Sequence, residues 1–214
     1  MSRKRGIDLR VLIGLAVLVV LGGVVALLST GGSSAHKSTT ANGGFESAAV
    51  MTPVMQAPPL ALRNYLGQPV NISSFRGKPV LVTFLYTHCP DVCPLITSNL
   101  RVAQNLMGPK VAANTQIIAV SVDPRGDTRS TVSDFLAKHE MTGRMLYLVG
   151  SARELAKVWQ AWGVGSERDS GNPEFINHSG LIYGVTASGK RLTIYAANFQ
   201  PAEIAHDVPL LAAR

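Results

Sequence analysis

The chain has 214 residues, enough for one well-packed domain and further segments. Its formal charge is +7, yet part of the excess is Arg3, Lys4, Arg5 and Arg10, the rest is scattered, and aromatic residues make up only 6%. Nucleic-acid binding requires clustered cations and stacking rings, so no nucleic-acid partner is expected, while a basic body remains suited to anionic lipid headgroups.

Those cations lie in residues 1–10, and Val11–Leu28 follows them as an uncharged run of apolar residues and glycine. A helix of that length spans roughly 27 Å, close to the hydrocarbon thickness of a bilayer. Residues 11–28 are therefore expected to form one transmembrane helix with a cytoplasmic N-terminus, by the positive-inside rule. The rest of the chain then faces the extracytoplasmic (periplasmic) side of a bacterial-type inner membrane, which the protein crosses once. A cleavable signal peptide is the competing reading. Its apolar region is ordinarily shorter, and the small-x-small site nearby is Ser33-Ser34-Ala35. Both readings export the body to a compartment where disulfides persist. Residues 29–56 are rich in Ser, Thr, Gly and Ala without hydrophobic periodicity, which reads as a flexible tether. The folded domain is expected over residues 57–214.

Within that domain, apolar β-branched runs alternate with helical patterns. Pro79–Tyr86 is a near-continuous hydrophobic run, expected of a strand buried on both faces. Thr97–Met107 reads as a helix stopped by Gly108-Pro109. Gln116–Val122 is a second buried strand, after which Asp127 and Thr128 are candidate caps for a helix reaching His139. Met145–Val149 is a third strand. From Ser151 a helix repeats Leu155, Val158, Trp159 and Trp162 at core spacing, so the tryptophans are read as core filler. Gly180–Thr186 and Arg191–Ala196 flank Ala187-Ser-Gly-Lys190 as a β-hairpin. A last helix begins near Pro201, and Pro209 is expected to shorten or kink it. This order predicts an α/β fold with a central mixed sheet flanked by helices, and the thioredoxin-like architecture fits it best.

Cys89 and Cys93 are the two cysteines of the chain, placed where the first buried strand gives way to a helix. At i and i+4 on a helix they share one face, about 5–6 Å apart at Cβ. Free N–H groups and the positive dipole end favour thiolates there. Three chemistries stay open: a structural disulfide, thiol–disulfide exchange, and a soft metal ion. Exchange enzymes on this scaffold ordinarily use Cys-x-x-Cys, whereas three residues intervene here. A metal needs a further donor, and thiolates with imidazole suit copper or zinc. Of the histidines, His36, His139 and His206 read as solvated or packed, and His88 as turned away from its neighbour. His178 ends a polar loop just ahead of the hairpin, where a thioredoxin-like sheet can bring it beside the cysteines. Asp123 has two readings: a carboxylate supporting the ligands, or a cap on the turn before Pro124.

Tyr86-Thr-His-Cys-Pro-Asp-Val-Cys-Pro94, Ser121-Val-Asp-Pro-Arg-Gly-Asp-Thr128 and His178-Ser179 together resemble the Sco (SenC) family of copper chaperones. Phe75-Arg-Gly-Lys78 and Trp162-Gly-Val164 add to the resemblance, in the family's order over roughly residues 60–210. Ala57-Pro-Pro-Leu-Ala-Leu62 departs from it, lacking the family's Asp-rich signature. The resemblance implies a membrane-tethered thioredoxin-like domain binding one copper ion, Cu(I) or Cu(II), through Cys89, Cys93 and His178. It implies a role in assembling the copper centre of cytochrome c oxidase, with subunit II or another exported copper protein as partner. Other copper chaperones or thiol reductants are further partners it implies. The chain is then not an enzyme in the ordinary sense, the alternative being a thiol–disulfide oxidoreductase acting through Cys89 and Cys93.

Overall fold

The computed structural model describes residues 43–168, 170–171 and 176–214. The expected membrane helix over 11–28 lies outside them. Among the described residues no helix is long and apolar enough to cross a membrane.

The central strand, β4, is the Val80–Leu85 run, and all six of its residues are buried. It follows strands β1 (Ala49–Gln56), β2 (Ala61–Asn64) and β3 (Pro69–Asn71) in the chain. Helices α1 (Val92–Leu106) and α2 (Gly108–Ala113) lead to β5 (Gln116–Ser121). Then come α3 (Arg129–Lys138), β6 (Leu146–Val149) and α4 (Ala152–Trp162). Short strands β7 (Ser166–Arg168) and β8 (Ile176–His178) precede the hairpin of β9 (Ile182–Val185) and β10 (Lys190–Tyr195), and α5 (Pro201–Ala212) closes the chain. The main sheet has the order β1-β10-β9-β4-β5-β6-β2-β3. β4, β5 and β6 run parallel, and β9 lies antiparallel to β4. The expected mixed sheet is present.

Helices cover both faces. Tyr183 and Gly184 are consecutive in β9 and point to opposite sides. Tyr183 meets Trp162 of α4 with ring centroids 5.5 Å apart. Gly184 faces α5, where a Cβ would stand 2.8 Å from Leu211 Cδ1 and 2.1 Å from Thr193 Oγ1. The glycine lets α5 lie close on the sheet. Ser151 caps α4 through a reciprocal pair with Glu154, and Gly163 ends it in the left-handed region at φ 70°. Trp162 is buried, and Trp159 is half-buried with its indole N–H on Ser121 O at 3.0 Å.

Four expectations change. Residues 49–56, assigned to the tether, form β1, which pairs with β10. β1 is an edge strand with mostly exposed side chains, so it shows no burial alternation to read. Gly108-Pro109 does not end the helical region, because Pro109 sits in the first turn of α2, where its missing N–H costs nothing. α1 starts at Val92 rather than Thr97, so Cys93 is helical and Cys89 is not. Pro209 lies inside α5, which continues to Ala212.

The body also takes in Phe45, whose ring is buried with Arg214 4.8 Å above it. The fully buried Asp207 holds this segment. Its carboxylate accepts from the backbone of Glu46 at 2.9 Å and Ser47 at 3.0 Å, and from the Tyr195 hydroxyl at 2.9 Å. The half-exposed His206 meets the same carboxylate at 2.8 Å, and that hydrogen bond raises the imidazole's pKa. Asp207→Ala leaves these buried donors unmatched and is expected to destabilise the fold by about 3 kcal/mol. Urea unfolding of the variant measures it; an unchanged midpoint contradicts the clamp.

Candidate metal centre

β4 ends in the core at Leu85, and the chain leaves it through Tyr86, itself buried. The turn that follows is tied down at once. Thr87 N donates to Asp127 Oδ1 at 2.8 Å, and Cys89 N donates to Tyr86 O at 3.4 Å. Asp91 then caps α1, its carboxylate accepting from Val92 N. Cys93 therefore stands in the first turn of α1, fully buried, while Cys89 lies just outside the helix and is 7% exposed. Their helical i, i+4 relation is not what joins them. Instead Cys89 Sγ accepts the N–H of Cys93 at 3.3 Å, so its sulfur occupies the anion position at the helix N-terminus. Both thiols are free.

β8 supplies the third donor. His178 Nε2 lies 3.6 Å from Cys93 Sγ, across 85 positions of sequence. Nδ1 faces Ser179 O at 3.4 Å. A carbonyl only accepts, so Nδ1 donates in that contact and Nε2 is the ring nitrogen turned to the sulfur. The ring stands edge-on to Tyr86, with centroids 5.7 Å apart. β8 pairs with β7 in a separate ribbon, and Ser166 of β7 donates to Val122 O at 3.2 Å. Ile176 N donates to the Tyr86 hydroxyl at 3.4 Å. Gly180 permits the final approach: a Cβ there would stand 3.0 Å from Val92 Cγ1. The ribbon is thereby seated on the first turn of α1.

Charge is divided unequally between the two sulfurs. The Cys93 thiol hydrogen-bonds the Cys89 sulfur, with His178 and the N–H groups of Cys93 and Asp91 adding to it; against burial they hold the Cys89 pKa at about 4. Burial, then the neighbouring Cys89, pushes the Cys93 thiol far up. Burial chiefly raises Tyr86 to about 12, with the Cys89 charge adding to it. The site thus presents one thiolate and one thiol beside the His178 imidazole.

These donors suit a soft ion. Metal–sulfur and metal–nitrogen bonds of about 2.3 and 2.0 Å, opened at trigonal or tetrahedral angles, separate S from N by about 3.5–3.7 Å. The observed 3.6 Å falls in that interval. Among the described residues no group of three or more His, Cys, Asp or Glu side chains is placed so that it could hold a metal ion as it stands. What the fold provides is a pair of cysteines with His178 Nε2 beside one of them.

Asp123 Oδ1 accepts from Arg125 N at 3.1 Å, and its carbonyl accepts from Asp127 N at 3.0 Å, so the residue closes the Pro124 turn. Asp127 does not cap α3; Thr128 does. Asp127 instead buries its carboxylate under the cysteine turn, where Ser121 Oγ at 2.6 Å, Tyr147 OH at 2.8 Å and Thr87 N satisfy it. Burial raises its pKa. The sequence signal for this role was concealed by its position one residue before a helix cap. His88 is exposed and meets Thr87 Oγ1 at 3.2 Å. His139 is half-buried, its ring 4.6 Å from that of Phe135. His206 belongs to the Asp207 clamp. His36 lies outside the described residues.

The SCO1/SenC family matches residues 54–213. The human protein named "Protein SCO1 homolog, mitochondrial" is 23% identical over 154 residues, covering 70% of this chain and 50% of that protein. A bovine relative, "Protein SCO2 homolog, mitochondrial", is 31% identical over 121 residues, covering 55% of this chain and 45% of its own length. The chain thus spans about half the length of the curated relatives it matches. Among solved structures, Bradyrhizobium japonicum ScoI with copper bound aligns with a TM-score of 0.64 and 31% identity, over 73% of this chain and 99% of that one. Apo Sco1 from Thermus thermophilus aligns with a TM-score of 0.65 and 27% identity, over 79% of this chain and 97% of that one.

Alkylation of the reduced protein by iodoacetamide is expected to modify Cys89 and spare Cys93. Because Cys89 is a thiolate down to about pH 4, its rate should stay flat between about pH 8 and 5 and fall only below that range. Peptide mapping by mass spectrometry reads it. A rate that climbs tenfold per pH unit towards pH 9 contradicts the thiolate assignment.

Proposed function

The chain belongs to the SCO1/SenC family, and from that premise we propose that it binds one copper ion at Cys89, Cys93 and His178 and passes it to a copper protein. The 3.6 Å approach of His178 Nε2 to Cys93 Sγ carries this reading, because it adds a nitrogen donor to the two sulfurs. Two sulfurs and an imidazole form a soft set suited to Cu(I), and Cu(II) would recruit a further ligand or water. Cys89 is ready to bind as a thiolate. Cys93 releases its proton on binding, so loading is coupled to proton release. The copper centre of cytochrome c oxidase, with its subunit II or another exported copper protein, is the acceptor we infer. The copper-bound state of the Bradyrhizobium relative supports the cargo, not the acceptor.

Residues 11–28 serve in this proposal as the membrane anchor, placing the domain on the extracytoplasmic side. Residues 29–44 are then the tether, shorter than composition suggested because the body takes in the chain from Phe45. Asp123 enters as the residue that holds the Pro124 turn beside the site.

Copper(I) titration of the reduced full-length protein is expected to saturate near one ion per chain. His178→Ala should weaken binding by more than the about 10–100-fold that follows loss of a mere supporting hydrogen bond, with both thiols still titratable. Equal binding by the two proteins would sink the three-donor site.

A further inference from the structure

The turn between β9 and β10, Ala187-Ser-Gly-Lys190, gathers other parts of the chain at one end of the sheet. Ala57 N donates to Gly189 O at 3.0 Å and Gly77 N to Ala187 O at 2.9 Å, while Ala187 N and Ser188 N donate to Leu211 O and Arg214 O. Arg76 spans the turn, its guanidinium donating to Ser188 O and, at 3.3 Å, to Gln56 Oε1. Arg76, Lys78 and Lys190 thus stand exposed around one turn. Glu46, close in sequence to the start of the described chain, directs its charge instead at Glu203 and His206. Apolar side chains are exposed at the same end. β1 finishes there, with Met55 opposite Arg191 and Gln56 opposite Lys190, and Val54 and Met55 are 46% and 52% exposed.

The described chain also starts at this end, where Arg214 donates to Gly43 O at 3.4 Å. Residues 11–28, read as the anchor, therefore join the body here. The metal centre lies at the other end: Val80 pairs with Val185 beside the turn, and β4 then runs six residues, about 20 Å, towards the cysteines. No step proposed for copper binding uses the residues of the turn.

We propose that this end of the body docks on the headgroups of an anionic bilayer, with Val54 and Met55 entering the interface, so that the metal centre faces away from the lipid. The inference rests on the anchor reading above for its direction, and on the patch itself for the lipid contact. Each Lys or Arg held near an anionic surface strengthens attachment about fivefold. That attraction fades within a Debye length, about 8 Å at physiological ionic strength, and a chain joined at this end raises the patch's effective concentration at the bilayer. Attachment at an interface scales with buried apolar area plus charge attraction, and this end of the sheet offers both. The metal centre, at the far end, stays open to a partner protein.

Met55→Trp places a reporter at an exposed strand position of the full-length protein, reconstituted in vesicles of brominated phosphatidylcholine with or without phosphatidylglycerol. Phosphatidylglycerol is expected to quench the reporter at least twofold, and raised salt to reverse the quenching. Lys78→Gln with Lys190→Gln should weaken docking about 25-fold and leave copper(I) binding unchanged. Equal emission in the two lipids overturns the proposal. So does equal quenching of Leu66→Trp, an exposed position between β2 and β3 at the far edge of the sheet. If alkaline carbonate strips the parent protein from the vesicles, the anchor reading fails instead. Sedimentation of fresh protein with preformed phosphatidylglycerol vesicles, but not with phosphatidylcholine vesicles, then still decides the lipid contact.

Discussion

The hydrogen bond from Cys93 N to Cys89 Sγ joins the end of the central strand to the start of α1, and the site depends on it. It fixes where the first sulfur sits, and it stabilises that sulfur as an anion. Without a helix N-terminus at this point, a thiolate in so enclosed a position would pay the full cost of burial. The second sulfur lies inside the helix and takes the opposite state. The Cys93 thiol does most to hold the Cys89 pKa down, with the helix N–H adding to it, while burial and then Cys89 push Cys93 up.

The rest of the architecture holds that junction in place. From below, the buried carboxylate of Asp127 anchors Thr87 and is itself satisfied from β5 and β6 through Ser121 and Tyr147. From the side, the β7–β8 ribbon delivers His178, guided by Tyr86 and admitted by Gly180. The sheet core is rigid at this end, since β4 and β5 are buried almost throughout. A site assembled from one turn and one ribbon thus brings His178 Nε2 to 3.6 Å from Cys93 Sγ.

Much of this was legible in the sequence, for identifiable reasons. β4 and β5 announced themselves as apolar runs because strands covered on both faces have no polar side to show. Ser151 marked the start of α4 because capping chemistry is local. β1 was hidden because an edge strand held by backbone pairing leaves its side chains in solvent. The helix start at Val92 was placed five residues late, since Pro90 and Pro94 obscure any helical pattern there. Cys89 and Cys93 were evident as a pair, but the geometry that joins them was misread as helical spacing. His178 stood out through the resemblance more than through any local rule, and Asp127 was taken for a cap because its neighbour Thr128 is one.

The central claim is that Cys89, Cys93 and His178 act on one ion. X-ray absorption at the copper edge of the copper(I)-loaded full-length protein tests it most directly. The account predicts a low-coordinate copper with two sulfur scatterers and one imidazole nitrogen, each protein molecule holding its own ion. A shell of sulfur alone, or copper–copper scattering from ions bridged by the thiolates, would contradict it.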